Sequence, residues 1–134
     1  MFGISTFCLH NKPLWFALDC LSEHTNYIEV MDEGLHSLKD AEILESYSLT
    51  YSIHAPSRGT NLASLLEPIR RASVEVMGHC FAIAAEVNAD VVVHPGYFAW
   101  EEERKEAEAR LVRSRKDLCR IAAELSVEFS FENM

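Results

Sequence analysis

Three consecutive valines, Val91-Val92-Val93, constrain this chain more than any other segment. Asp90 precedes them, and His94-Pro95-Gly96 stops the run before it reaches helical length. A β-branched run without polar alternation reads as a parallel strand buried on both faces. Parallel strands need crossover connections, and the flanking sequence predicts them. Residues 68–87 place Ile69, Ala72, Val76, Cys80, Ile83, Ala84 and Val87 on one face at steps of three and four, the pattern of a long helix. Residues 100–125 predict another, with Glu101 to Glu103 near its positive N-terminal end.

The alternation runs through the rest of the chain. Residues 3–7 read as a short strand. Asn11 is a candidate cap for a helix with Pro13 in its first turn and a Leu14, Leu18, Leu21 stripe. Residues 27–31 predict a second strand. Ser37 is a candidate cap for the next helix, with Asp40 three residues on and Leu38, Ala41, Ile43 and Leu44 as its apolar positions. Residues 49–54 predict a third strand, ended by Ala55-Pro56, because the residue before a proline is pushed away from helix. The polar loop 57–61 follows. Residues 127–131 predict a fifth strand, leading into Glu132.

Strand-helix repetition without hairpin signals predicts an α/β domain of parallel (β/α) units, about five strands and four helices over residues 1–134. A doubly wound open sheet and a TIM barrel both fit. No G-x-G-x-x-G or P-loop follows a strand, so nucleotide-binding forms of the open sheet lose support. No apolar run approaches ~18 residues, so no membrane span is expected. The start has no basic segment followed by an apolar one, which predicts a cytoplasmic protein. Cys20, Cys80 and Cys119 fall on apolar helix faces, and with Cys8 they form no C-x-x-C pair. Reduced thiols are expected. The net charge of −9 and pI near 5.1 disfavour a nucleic-acid partner.

The chemistry sits at strand ends. His94 follows His54 by 40 residues, and Glu132 follows His94 by 38. Each interval is one βα unit. Three ligand-type side chains are thus expected at one height, at the carboxyl ends of adjacent strands, the face where barrel active sites gather. Two imidazoles and a carboxylate suit a divalent metal ion, zinc or manganese. Glu29, a charge inside a strand, is expected to line the barrel mouth or to pair with Arg70. Arg58 is a candidate for a phosphate, and Tyr97, Phe98 and Trp100 are candidates for stacking on a sugar or base. His10, His24, His36 and His79 have no registered partners and are expected to be structural or exposed.

Taken in order, Ser52-Ile53-His54-Ala55-Pro56, Asn61-Leu62-Ala63-Ser64, Val93-His94-Pro95-Gly96 and Glu132-Asn133 resemble the xylose isomerase-like barrel superfamily. That group joins endonuclease IV with sugar and sugar-phosphate isomerases and epimerases. The resemblance implies a TIM barrel of which this chain is the N-terminal portion. In endonuclease IV-like members, the histidines matching His54 and His94 bind zinc and the glutamate matching Glu132 bridges metals. In the isomerases that carboxylate holds a single divalent ion, and the histidine positions more often contact substrate. Asn61 matches the endonuclease-like N-L-A-S stretch, and the loop before it is about one residue longer. The family places further Asp, His and Glu ligands on later strands, which this chain does not reach. Eight strands cannot close from five.

Three functions follow as expectations. The first is a metal-dependent isomerase or epimerase of a sugar or sugar phosphate, with Glu132 catalytic and Asn61, Arg58, Tyr97, Trp100 and Glu29 at the substrate. The second is a zinc phosphodiesterase acting on abasic DNA. The third is an inactive half-barrel that associates with copies of itself through its open sheet edge.

Overall fold

The computed structural model describes residues 2–133. Five parallel strands lie in sequence order: β1 (Ile4–Ser5), β2 (Tyr27–Met31), β3 (Thr50–His54), β4 (Asp90–Val93) and β5 (Phe129–Phe131). Helices α1 (Leu14–Ser22), α2 (Glu42–Glu45), α3 (Glu67–Glu86) and α4 (Arg104–Leu125) form the crossovers. None is long and apolar enough to cross a membrane, among the described residues.

The strands alternate in what they face. Ile28, Val30, Tyr51, Ile53, Val91 and Val93 join the helices in one apolar core, where Leu18, Phe81, Ile83 and Leu118 are closed to solvent. The opposite face carries Ser5, Glu29, Ser52 and Val92, which line an open hollow. Val92 is therefore only half-buried, and β4 is not covered on both sides as its valine run suggested. A five-stranded sheet does not curl far enough to cover its own inner face.

Several local expectations are corrected. The first strand stops at Ser5, and Thr6–Leu9 turns into a 3-10 helix. The buried Thr6 hydroxyl accepts the Met31 N–H at 3.0 Å, replacing the ladder bond a longer strand would have made. Pro13, not Asn11, occupies the cap of α1, extended at ψ 151°. Residues 37–41 are not helical. Asp32 takes the Leu38 N–H at 2.6 Å and ties this segment to the end of β2, and Asp40, not Ser37, accepts from Glu42 N at the start of the four-residue α2. Residues 101–103 form a 3-10 turn before α4. Cys80 is buried, Cys20 is half-buried and Cys119 is exposed.

The stripe of α3 is also rotated from its apolar reading. Ile69 and Val76 are exposed, whereas Arg70 and Ser73 are buried. The reason is a polar seam between α3 and α4. Arg70 donates to both oxygens of Glu67, to Asp117 at 3.0 Å and to the Ser114 hydroxyl at 3.1 Å, and Ser114 donates onward to Leu62 O at 2.7 Å. Every buried side-chain polar atom of this seam has a partner, as burial requires. Arg70 is thus committed here and does not pair with Glu29. Glu67 also meets Arg110 at 3.0 Å.

The hydrogen bonds from Arg70 lead in pulling the Glu67 carboxyl down to about 2, against its desolvation, and the charges of Arg70, Arg113 and Arg110 help. A carboxyl depressed by folding stabilises above its ordinary range near 4.5 and stops doing so as pH falls toward 2. Glu67→Gln is therefore expected to lower the thermal midpoint at pH 6. That deficit should shrink toward zero by about pH 2.5, as measured by circular dichroism. A deficit independent of pH would show that the charge contributes nothing.

Candidate metal centre

His54 closes β3, and His94 and Glu132 each stand one residue past their strands. They are not level in the ladder. His54 is opposite Val92, two residues before His94, while Val93 opposite Phe131 keeps His94 and Glu132 in step. A barrel-like sheet staggers by about one residue per strand, so donors rise along the chains as they pass round it. The stagger brings the three together. Nε2 of His54 and Nε2 of His94 lie 3.2 and 2.8 Å from Oε2 of Glu132, and the three donor atoms fall within 4.8 Å of one another.

The hydrogen-bond pattern decides what this cluster can hold. Nδ1 of the buried His54 lies 3.0 Å from Ala55 O, an acceptor only, so Nδ1 carries the proton. In the neutral ring Nε2 then offers a lone pair toward Glu132, and in the doubly protonated ring it donates to Oε2 instead. Lone-pair donors this close need a positive charge among them, either a proton on an imidazole or a divalent cation. The His54 hydrogen bond is the main cause holding the Glu132 carboxyl below its ordinary range; burial opposes it, and the histidine charges add to it. The donor set fits a borderline ion such as zinc or manganese, with a backbone carbonyl orienting one imidazole from behind.

The donors open onto a hollow of about 450 Å³, also lined by Ser5, Phe7, Glu29, Glu33 and Arg58. Glu29 reaches this hollow from the inner face of β2. Arg58 stands on its rim, highly exposed, with Nε 3.8 Å from Glu33. Asn61, Tyr97 and Trp100 are elsewhere. Tyr97 and Trp100 are exposed, and neither borders the hollow. Phe98 packs under the Arg104 guanidinium at 4.8 Å. Asn61 uses its side chain on backbone: Oδ1 accepts from Ala63 N at 3.0 Å and Tyr97 N at 3.1 Å, and Nδ2 donates to Tyr97 O at 2.9 Å.

Phe7 and Glu33 are among the residues of the hollow that escaped the sequence reading. Phe7 is half-exposed at its edge and stacks on His10, with ring centroids 5.3 Å apart. No periodicity marks it, because it sits in a 3-10 turn. Glu33 follows β2 and gathers the N–H groups of Ser57 and Arg58 and the Ser57 hydroxyl on one oxygen. Burial pushes its carboxyl up, and those bonds, the Arg58 N–H first, outweigh it, leaving it below the ordinary range. Only the pairing of two distant loops reveals this role.

Comparisons place these features among known proteins. The chain is 35% identical to the uncharacterised protein MJ1614 of Methanocaldococcus jannaschii, over 98% of its own length and 55% of that protein's. It superposes on a D-tagatose 3-epimerase-like protein with a TM-score of 0.88 at 27% identity, covering 99% of this chain and 52% of the other. The TTHB071 protein from Thermus thermophilus, in a structure soaked with zinc chloride, gives a TM-score of 0.74 at 23% identity, with 98% and 55% covered. The chain thus spans about half the length of these relatives. Residues 24–134 match the model of the xylose isomerase-like TIM barrel. The chain belongs to the xylose isomerase-like TIM-barrel family.

Proposed function

We propose that this chain carries the metal-binding portion of a divalent-metal-dependent sugar isomerase or epimerase. The observation that carries the proposal is the convergence of His54, His94 and Glu132 on one point at the carboxyl face of the sheet. A zinc or manganese ion held there would polarise a substrate carbonyl and its neighbouring hydroxyl. Glu132 meets both histidines through Oε2, and Oε1 has no hydrogen bond among the described residues. That oxygen is the group we assign to the proton next to the carbonyl. Glu29 and Arg58 border the same space and are placed to meet sugar hydroxyls.

The charge of the hollow supports the sugar reading. Glu29, Glu33 and Glu132 face one guanidinium, Arg58, which already lies near Glu33. With a divalent ion held there the hollow is close to neutral, which suits an uncharged sugar and lacks the excess of cations that a phosphodiester backbone draws on. The similarity to a D-tagatose 3-epimerase-like protein supports the same choice. We read residues 1–134 as the opening portion of an eight-stranded barrel, whose free edges at β1 and β5 pair with further parallel strands or, in their absence, with a second copy.

The test is proton exchange. The full chain with zinc or manganese is mixed with unphosphorylated ketohexoses in deuterated water and followed by NMR. Deuterium is expected at the carbon beside the carbonyl, lost on adding chelator. Absence of exchange together with chelator-sensitive cleavage of an abasic-site duplex would move the assignment to the phosphodiesterase.

A further inference from the structure

Glu33 and Asn61 do the same thing at two places. Each sits in a loop at the carboxyl face, and each grips the loop that leaves the next strand. The residue gripped is the third after a histidine in both cases. Glu33, beyond β2, binds the N–H of Ser57, three residues past His54, and that of Arg58 at 2.5 Å. Asn61, beyond β3, binds both the N–H and the carbonyl of Tyr97, three residues past His94. Neither loop has regular structure to hold it, and each contains a proline that brings no N–H donor.

Both grips have firm footings. Asp32, beside Glu33, donates its N–H to His54 O at 3.0 Å, so adjacent residues hold both ends of the segment 54–58. Asn61 is fixed from behind: its N–H donates at 2.8 Å to Ser73 Oγ, and that hydroxyl donates at 2.7 Å to Ile69 O on α3. The loop after His94 is shaped to receive Asn61. Gly96 takes φ +93°, and a Cβ there would collide with Asn61 Oδ1 and stand 2.9 Å from Ala63 N. Only glycine allows both the conformation and the approach.

We infer that Glu33 and Asn61 are positioning residues, a pair of loop-to-loop clasps that set the His54 and His94 imidazoles against Glu132 before any ligand arrives. The clasps act through backbone on the loops after the two rings: Asn61 lies outside the hollow, and Glu33, on its lining, spends one oxygen on the clasp. Asn61 therefore serves the centre as a support rather than as a substrate contact. In its metal arm this inference rests on the proposed function; in its ring-geometry arm it does not.

Three variants test it. Asn61→Asp is nearly isosteric, but it sets a carboxylate oxygen against Tyr97 O in place of a donor. Glu33→Ala removes the other clasp. Glu33→Gln keeps an acceptor oxygen for the Ser57 and Arg58 N–H groups and is the conservative control. The first readout is the proton NMR contact between the His54 and His94 rings, whose centroids lie 5.6 Å apart. It is expected to weaken in Asn61→Asp and Glu33→Ala and to persist in Glu33→Gln, with helical circular dichroism unchanged. The second readout is cobalt(II) binding followed by its visible absorption. Affinity should fall about tenfold in the first two variants, the range found when groups behind metal ligands are removed, and should stay near wild type in Glu33→Gln. Ring contacts that persist in both disruptive variants overturn the inference. A wild-type chain that takes up no cobalt sinks the metal reading instead, and the ring contacts alone then decide for or against the clasps.

Discussion

Glu132→Gln is expected to weaken zinc binding by at least about 100-fold, as read by calorimetry on the full chain. The amide keeps the shape of the carboxylate but loses its charge, and with it the attraction that offsets removing a cation from water. His54 Nε2 and His94 Nε2 both converge on one oxygen of this carboxylate, at 3.2 and 2.8 Å, so losing its charge affects every donor of the cluster. The same variant should lose the metal-dependent proton exchange, because an amide, whichever way it is turned, is too weak a base to take up the proton. His79→Ala is the control, since His79 is exposed on α3 and separate from the cluster. Its zinc binding should equal that of wild type. Equal affinity for Glu132→Gln and wild type would rule out a site built on this carboxylate.

Phe81→Ala is expected to cost about 3–5 kcal/mol of folding stability, the range for emptying a fully buried aromatic site. Phe81 is the largest of the side chains fully closed to solvent, and it lies where α3 meets the sheet, with its ring 5.2 Å from that of Phe129 on β5. Phe129 in turn packs edge-on against Phe131 at 5.7 Å. The cavity would therefore open beneath the strand that carries Glu132, and the thermal midpoint should fall on the order of 10 °C or more. Phe81→Leu fills most of the space and should cost much less. A loss below ~1 kcal/mol in Phe81→Ala would mean that β5 is not held through this contact.

Phe81 and Glu132 both bear on β5, a short edge strand. Among the described residues its ladder runs to β4 alone, and Glu132 N donates to Val93 O at 3.0 Å as the chain leaves the sheet. Packing from Phe81 and the ladder to β4 thus jointly fix the height of Glu132. Zinc affinity should accordingly follow the integrity of the core beneath β5, in contrast to that of a loop-borne site.

Much of this molecule is legible in the residues themselves. The five strands and the long helices α3 and α4 follow from local periodicity, because a buried strand or an amphipathic helix repeats its apolar residues at its own pitch. His54, His94 and Glu132 are legible for the same reason: once the strands are placed, one-unit spacing puts all three at carboxyl ends. Short elements were not legible. Residues 3–7 and 37–41 carry ordinary strand and cap signals, and the structure overrides them through Thr6 and Asp32, whose side chains bind backbone N–H groups 25 and six residues away. The exposure of Ile69 and the burial of Arg70 likewise depend on Ser114 and Asp117, on another helix. The order of elements and the strand ends that carry the chemistry are local properties of the chain, and they are readable from it. That the donors meet, that Glu33 and Asn61 bind the neighbouring loops and that Tyr97 and Trp100 stand apart from the hollow emerges on folding, because strand stagger and loop-to-loop hydrogen bonds join residues whose relation is written in no local pattern.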